Sequence, residues 1–409
     1  MERERDLREG SPEEAGLSAA GLEAVDDALR EMIGAGQVAG AVTLVARRGV
    51  IVHRSALGAK DLASGEALAA DTLFRLYSMT KPVTGVAMMI LHDAGLWRAS
   101  DPIAKFLPAM ADVQVFAALD DNGAPCLARP DHAPSMGELM THTAGFTYGF
   151  DPNDPVDRLY QAADPWRAPD LAQFAQRVAS CPLAYQPGSK WIYSLSTDIQ
   201  GAIVEALSGQ SLPAFMAERI FEPLGMVDTA FHTPPDKRPR LASLYRKSRT
   251  RGLVLIERSE MILPDHDAPP ALSSGGGGLV GTADDYAKFA QMLLKGGEFR
   301  GARIVSAEAL GLMMSNHLSP ALLAGGFGVG KQVIRPGYGY GYDGAVFTDP
   351  ALAGVPVGEG TYQWDGAAGT WFWVDPVSDL LFVGLIQRLD PDSPPLQLIT
   401  QRLIAQALL

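Results

Sequence analysis

The chain has 409 residues, 47% of them hydrophobic and 20% charged, a composition that suits a globular protein of two domains or one large composite domain. Its formal net charge of −13 argues against partners that need a basic surface, nucleic acid and anionic membrane among them.

The N-terminal stretch MERERDLREG is charged and lacks the apolar core of a signal peptide. No apolar run approaches the length of a membrane span. The two cysteines, Cys126 and Cys181, have no metal-ligand spacing and are expected to be buried thiols in a reducing compartment. A cytoplasmic protein is therefore expected.

The first predicted helix is SAAGLEAVDDALREMIGAG. Leu22, Val25, Leu29, Met32 and Ile33 share one face at helical spacing, Ser18 can cap the start, and Gly34 or Gly36 can end it. AGAVTLVARRGVIVHRSALG follows. Its two β-branched runs flank Arg47-Arg48-Gly49 and predict a hairpin. Next comes LFRLYSMTKPVTGVAMMILHDAGL. Pro82 is tolerated only in a helix's first turn, so this helix must begin close to Ser78. Val83, Val86, Ala87, Ile90 and Leu91 form a stripe that Met88 and Met89 widen, the mark of a buried helix. Gly95 is placed to stop it.

Ser78 and Lys81 stand three residues apart at the head of that helix. Side chains at i and i+3 share a face, so the Lys81 amine can turn back to the Ser78 hydroxyl. Serine is a weak nucleophile at neutral pH and needs a base beside it. An apolar cleft disfavours the charged form of a lysine and makes a free amine accessible. The helix start adds unpaired N–H groups, and that of Ser78 can serve as an oxyanion donor. A lysine that merely snorkels out of a structural helix would carry the same letters, so the motif alone decides nothing.

From about residue 97 to 240 the pattern is mostly helices and loops. SMGELMTHTAGF opens with Ser135 and Glu138 in a capping-box pattern, and STDIQGAIVEALSG and SLPAFMAERIFEPLGM are amphipathic helices with glycine or proline stops. After about 250 strands return. GTADDYAKFAQMLLKGG is a helix opened by Thr282 and Asp285. GFGVGKQVI and GYGYGYDGAVF are predicted strands, with Tyr338, Tyr340 and Tyr342 as strand residues and a pocket role for one of them. GTWFWVDPVSDLLFVGLIQ is a strand pair around an Asp-Pro turn, and PLQLITQRLIAQALL is a closing helix. The early hairpin is too small to stand alone, so it is expected to join the C-terminal strands in one sheet.

FRLYSMTKPVTG, with LHDAGLWRASDPIAKFLP directly after it, resembles the serine β-lactamase and penicillin-binding-protein superfamily. The resemblance is closest to the class C β-lactamase branch that includes the family VIII carboxylesterases. LMTHTAGF at 139–146, FEPLGMVDTAF at 221–231 and GGGGLVGTADDYAKFAQMLL at 275–294 resemble the same branch in the same order, so it spans nearly the whole chain. It implies a β-lactamase-like α/β fold. An antiparallel sheet flanked by the N- and C-terminal helices is expected from 1–76 and 250–409, with an inserted, mainly helical domain at 77–249 and the site in the cleft between them.

The resemblance also assigns roles. In WIYSLSTD it puts Tyr193 in the place of the family's tyrosine, sharing the base's work and then protonating the leaving alkoxide. Leu195 stands where lactamases carry an asparagine that helps hold the lactam's amide. Trp364-Asp365-Gly366 stands where lactamases and peptidases have Lys-Thr-Gly, and resembles the Trp-x-Gly version of family VIII esterases. Trp364 then supplies an apolar wall and one N–H donor in place of a cation. Trp364, Gly366 and Leu195 are thus expected to line a pocket for neutral acyl esters. The N–H of Ala367 is expected to face that of Ser78 as the second oxyanion donor. The glycines of SSGGGG, Ser273 to Gly278, become a loop lining the cleft.

No G-x-S-x-G elbow is present, and none of the seven histidines has the i, i+4 spacing of a zinc hydrolase. His142 is expected to be structural. The resulting expectation is a serine carboxylesterase acting on short acyl esters, with Ser78 as nucleophile, Lys81 and Tyr193 handling the proton, and no metal or organic cofactor. An acyltransferase that passes the acyl group to an alcohol is the nearest alternative. A β-lactamase or D-aminopeptidase comes third, and a non-catalytic ligand-binding homologue is disfavoured by the complete Ser78, Lys81 and Tyr193 set.

Overall fold

In the computed structural model, which describes residues 7–257, 266–325, 327–329, 332–334, 336–390 and 392–409, the Ser18 hydroxyl accepts the Gly21 N–H and opens α1 (Ala19–Gly34). Leu22, Val25 and Leu29 are buried along its inner side. Arg48 and Gly49 both have positive φ, 54° and 74°, and join β1 (Gly40–Arg47) to β2 (Val50–Asp61). Two successive positive φ values match the twist of a two-residue hairpin. In α2 (Thr80–Asp93) every residue from Thr80 to Leu91 is buried, and Gly95 at φ 72° follows its end.

The helical stretch contains a feature that the sequence reading lacked. β3 (Val115–Leu119) and β4 (Pro125–Ala128) form a separate, exposed hairpin. It carries Cys126, which is exposed and not buried as expected, whereas Cys181 is buried. The Ser135–Glu138 capping box is complete at the head of α3 (Met136–Met140). Asp154 caps α4 (Pro155–Ala163), and Gly209 at φ 70° ends α5 (Ser196–Ser208). SLPAFMAERIFEPLGM contains a π turn at Ala217–Phe221. Pro223 cannot donate to the carbonyl of Arg219 and its ring crowds it, so the ladder widens there.

Thr282 accepts the Asp285 N–H and opens α6 (Ala283–Leu294). The strands β5 (Tyr338–Tyr340), β6 (Ala345–Phe347), β7 (Tyr362–Gly366), β8 (Thr370–Asp375) and β9 (Leu380–Leu385) follow, and α7 (Leu396–Ala407) closes the chain. GFGVGKQVI lies partly outside the described residues; its Phe327–Val329 and Gln332–Ile334 pair as a ribbon apart from the main sheet.

The main sheet runs β2-β1-β9-β8-β7-β6-β5 and is antiparallel throughout this path, with Arg8–Glu9 added in parallel beside β2. The early hairpin thus joins the C-terminal strands through β1 and β9, where Val45 faces Phe382 and Leu44 faces Val383. Alternation decides which side each residue serves. Val45, Trp371, Trp373 and Phe382 pack with Leu22, Val25 and Leu29 of α1 and Ile404 of α7. Leu44, Phe372, Val374 and Val383 point the other way, into a cluster with Phe289 of α6 that continues through Val86 of α2 and Ile203 of α5. An antiparallel sheet with α1 and α7 on one face and α6 on the other is the arrangement that the resemblance implies, and it lays the head of α2 against the end of β7. Among the described residues no helix is long and apolar enough to cross a membrane.

Candidate active site

Ser78 sits in a single 3-10 turn, Tyr77–Met79, that leads straight into α2. Tyr77 has φ 47°, an uncommon conformation for a bulky residue. Neighbouring elements over-determine it. Thr370 of β8 donates its hydroxyl to the Leu76 carbonyl at 2.9 Å, and the Leu76 N–H donates to Leu279 O at 2.9 Å. The Tyr286 hydroxyl donates to Met79 O at 2.9 Å. The turn is therefore clamped by β8, by the glycine-rich loop and by α6.

Lys81 is fully buried one turn on. Its amine donates to Gly276 O at 2.7 Å, to the Tyr148 hydroxyl at 2.8 Å, and more distantly to Ser78 Oγ at 3.4 Å. The Tyr193 hydroxyl is much closer to the nucleophile: it donates to Ser78 Oγ at 2.6 Å. Lys81 Nζ also lies 4.7 Å from the centre of the Tyr193 ring. The structure thus brings Ser78, Lys81 and Tyr193 together. It also places the SSGGGG loop against them through Gly276.

Gly366 and Ala367 lie where β7 turns into β8, beside the Ser78 turn. A Cβ on Gly366 would come within 2.2 Å of Leu76 O, so the absence of a side chain is what lets this strand end approach. Ala367 is exposed, and among the described residues neither its N–H nor that of Ser78 has an acceptor. Two vacant donors on adjoining backbone are what an oxyanion requires.

Two expected pocket residues are placed differently. Trp364 is fully buried, its ring 5.8 Å from that of Tyr193 and 5.4 Å from that of Tyr340. It backs Tyr193 from the core and does not present a wall to the cleft. Leu195 is likewise fully buried, in the core cluster at the head of α5. Strand and helix register turned both side chains inward. Of the three tyrosines of GYGYGYDG, Tyr340 supports Trp364, while Tyr342 is buried and stacks on His317 at 4.3 Å.

Tyr148 is a site residue that the sequence reading missed. The residue is half-buried, but its hydroxyl faces the buried Lys81 amine, and desolvation there first, then the neighbouring Tyr193 and Asp198, push its phenol well above the ordinary value of 10. It therefore acts toward Lys81 as a neutral acceptor. Behind it lie two buried carboxyls. Asp198 Oδ1 accepts the Ser274 hydroxyl at 2.6 Å and the Gly276 N–H at 2.9 Å, which fixes the loop that Lys81 contacts. Burial raises its pKa, with Lys81 pulling the other way. Asp343 Oδ1 accepts from Thr197 Oγ1 at 2.9 Å and Gln200 Nε2 at 3.0 Å, and burial pushes its pKa up to about 7.

His142 is buried beneath Tyr193, 5.2 Å between rings, with Nδ1 3.0 Å from Ser194 Oγ. Burial, then the charge of Lys81, hold its pKa well below 6.5, so it is neutral. It touches neither Ser78 nor Lys81 and supports the tyrosine from below. Among the described residues no three His, Cys, Asp or Glu side chains converge as metal ligands would.

Comparison with known proteins gives a consistent result. The Beta-lactamase family model matches residues 25–407. An uncharacterised protein of Mycobacterium tuberculosis is 37% identical over 371 residues, 88% of either chain. Esterase EstB of Burkholderia gladioli is 34% identical over 378 residues, again 88% of each. Among solved structures, EstCE1, described as a hydrolase with promiscuous acyltransferase activity, matches with a TM-score of 0.78 at 27% identity, over 94% of this chain and 99% of its own.

Proposed function

From the premise that the chain belongs to the Beta-lactamase family, we propose that it is a serine carboxylesterase acting on small neutral acyl esters. The observation that carries this reading is the 2.6 Å contact between Tyr193 Oη and Ser78 Oγ, beside the amine of Lys81. In the reacting form the direction of this bond must reverse: Tyr193 Oη, having given up its own proton, accepts that of the Ser78 hydroxyl as Ser78 Oγ attacks the ester carbonyl carbon. Lys81, whose N–H donors go to Ser78 Oγ, Tyr148 Oη and Gly276 O, lies 4.7 Å from the centre of the Tyr193 ring and acts as the nearby cation that compensates charge on the phenol. This moves the base's work from the lysine amine, where the sequence alone first puts it, toward the phenol.

The tetrahedral oxyanion is held by the N–H groups of Ser78 and Ala367. Its collapse breaks the bond to the alcohol oxygen, which takes the proton from Tyr193 and leaves. Water then adds to the acyl-enzyme, gives its proton to Tyr193, and Ser78 departs with that proton as the free acid forms. Acyl transfer is the second reading, favoured by the description of EstCE1; there an alcohol takes the place of water. Lactam hydrolysis is disfavoured because neither Leu195 nor Trp364 offers the amide or cation that such substrates meet.

The test is hydrolysis of a p-nitrophenyl ester series from acetate to octanoate by wild type and Ser78→Ala, with a chromogenic lactam and an added alcohol acceptor alongside. Wild type should cleave the short esters, and Ser78→Ala should lose about four orders of magnitude in kcat. Equal rates for the two would end this reading. Lactam turnover without ester turnover would replace it with the lactamase one.

A further inference from the structure

Three aromatic rings lead from the buried amine to the surface. Tyr148 Oη is 2.8 Å from Lys81 Nζ. Phe150 lies face to face on the Tyr148 ring, 4.6 Å between centroids and 6° between planes. Trp166 is also nearly parallel to Tyr148, at 6.3 Å and 13°. Phe150 is nevertheless 62% exposed, and Trp166 is half-buried. A scattered exposed apolar side chain needs no explanation. A flat ring aligned with an active-site tyrosine and open to water is different, because it offers an unoccupied stacking surface within one ring of the catalytic groups.

The loop that presents Phe150 is held on both sides. Asp157 of α4 accepts the Thr147 hydroxyl at 2.6 Å and the Asp151 N–H at 2.8 Å. Gln161, also of α4, donates to Gly149 O at 2.7 Å. Gly149 has φ 78°, and a Cβ there would stand 3.1 Å from that of Tyr160, so the loop is seated directly on the helix. The exposure of the ring is thus part of the built structure. Charge narrows what it would receive. Asp151 is exposed and Asp154 half-buried just beyond it, and they balance the exposed Arg158 and Arg167, the latter paired with Asp164, so the rim has no excess of positive charge to draw an anionic group.

We propose that Phe150, with Tyr148 and Trp166, forms an aromatic subsite at the mouth of the cleft, and that it stacks the planar, uncharged alcohol portion of an aryl ester. The assignment to the alcohol side rests on the esterase reading above. The leaving oxygen must reach Tyr193 to be protonated, and the Tyr193 ring is 5.1 Å from that of Tyr148. Of the rings packed on Tyr193, His142 and Trp364 are fully buried, whereas Tyr148 continues to the exposed Phe150, which puts that stack on the alcohol side.

Two measurements test this. The first is kcat/KM for 1-naphthyl acetate and for ethyl acetate in wild type, Phe150→Ala and Phe150→Trp. Loss of one aromatic stacking partner should lower the naphthyl-over-ethyl ratio about three- to tenfold in Phe150→Ala, and Phe150→Trp should restore it. The second is calorimetric binding of 1-naphthol, which needs no turnover; Kd should weaken by a similar factor in Phe150→Ala. An unchanged ratio together with an unchanged naphthol Kd overturns the subsite. Naphthol binding that weakens in Phe150→Ala, in a wild type that cleaves neither ester, would support the subsite and remove the esterase reading instead.

Discussion

Lys81 has three N–H donors, and three oxygens from three different parts of the chain receive them. The Tyr148 hydroxyl is the one that chemistry alone would not have demanded. Its loss should matter because a buried cation left short of an acceptor has nothing else to turn to except Ser78 or solvent. A hydrogen bond to a charged group contributes about 1.5–3 kcal/mol. We therefore expect Tyr148→Phe to lower kcat for a p-nitrophenyl ester about 10- to 100-fold and to lower Tm by a few degrees, the ring itself staying in place. An unchanged kcat would mean that Lys81 needs only Gly276 to hold it. At this scale spacing singled out Ser78 and Lys81 as candidates without deciding between a catalytic and a structural pair, and resemblance to the family added Tyr193. Tyr148 was hidden because Thr-Tyr-Gly-Phe follows no periodic pattern and its position depends on how the loop seats on α4. Trp364 and Leu195 were placed at the right elements with the wrong direction, because the facing of a side chain depends on register that the residue names do not carry.

Between elements, the close approach of β7 to the Ser78 turn decides whether the site can assemble. Gly366 makes it possible: a Cβ there would meet both Leu76 O and Thr370 Oγ1 at 2.2 Å. Thr370 is also the group that holds the Leu76 carbonyl. Gly366→Ala should thus push the strand end away from the turn, disturbing the Ser78 and Ala367 N–H groups together. The expected result is a fall in kcat of about 100-fold or more, of the size seen when an oxyanion donor is removed, accompanied by a lower Tm from overpacking. Activity and Tm both at wild-type values would show that the two backbones have slack. The elements themselves were largely readable where a cap and a stop bracket a periodic stretch, as at Ser18, the Ser135–Glu138 box, Thr282 and Gly209. The β3–β4 hairpin was not, because its strands are short and mostly exposed, with little alternation to announce them. The π turn at Ala217–Phe221 escaped for a related reason: its residues keep an amphipathic helical pattern while one proline widens the ladder.

Across the whole molecule, Asp343 links the sheet to the helices. It follows β5 in the turn to β6, its N–H donates to Met140 O of α3, and its carboxylate accepts from Thr197 and Gln200 of α5. Its other oxygen has no partner among the described residues and lies near Gly85 of α2, where a Cβ would stand 3.1 Å away. A carboxyl with an ordinary pKa of 3.8 when unfolded is held at about 7 here, mainly by burial; Lys81 opposes that rise and Asp198 adds to it. Between those two values the folded chain binds the proton more tightly than the unfolded one, so this residue's contribution to stability falls as pH rises from about 4 to about 7, then stays constant. A shift of that size corresponds to at most a few kcal/mol. Asp343→Asn keeps an oxygen for Thr197 and Gln200 but cannot ionise. The Tm of the variant minus that of wild type should therefore climb steadily through that window and level off above it. Groups such as the buried neutral His142 titrate alike in both proteins and cancel in the difference. A difference that stays flat from pH 4 to 8 would mean that Asp343 ionises as freely in the folded chain as in the unfolded one, and that the junction of sheet and helices is wet enough to solvate it.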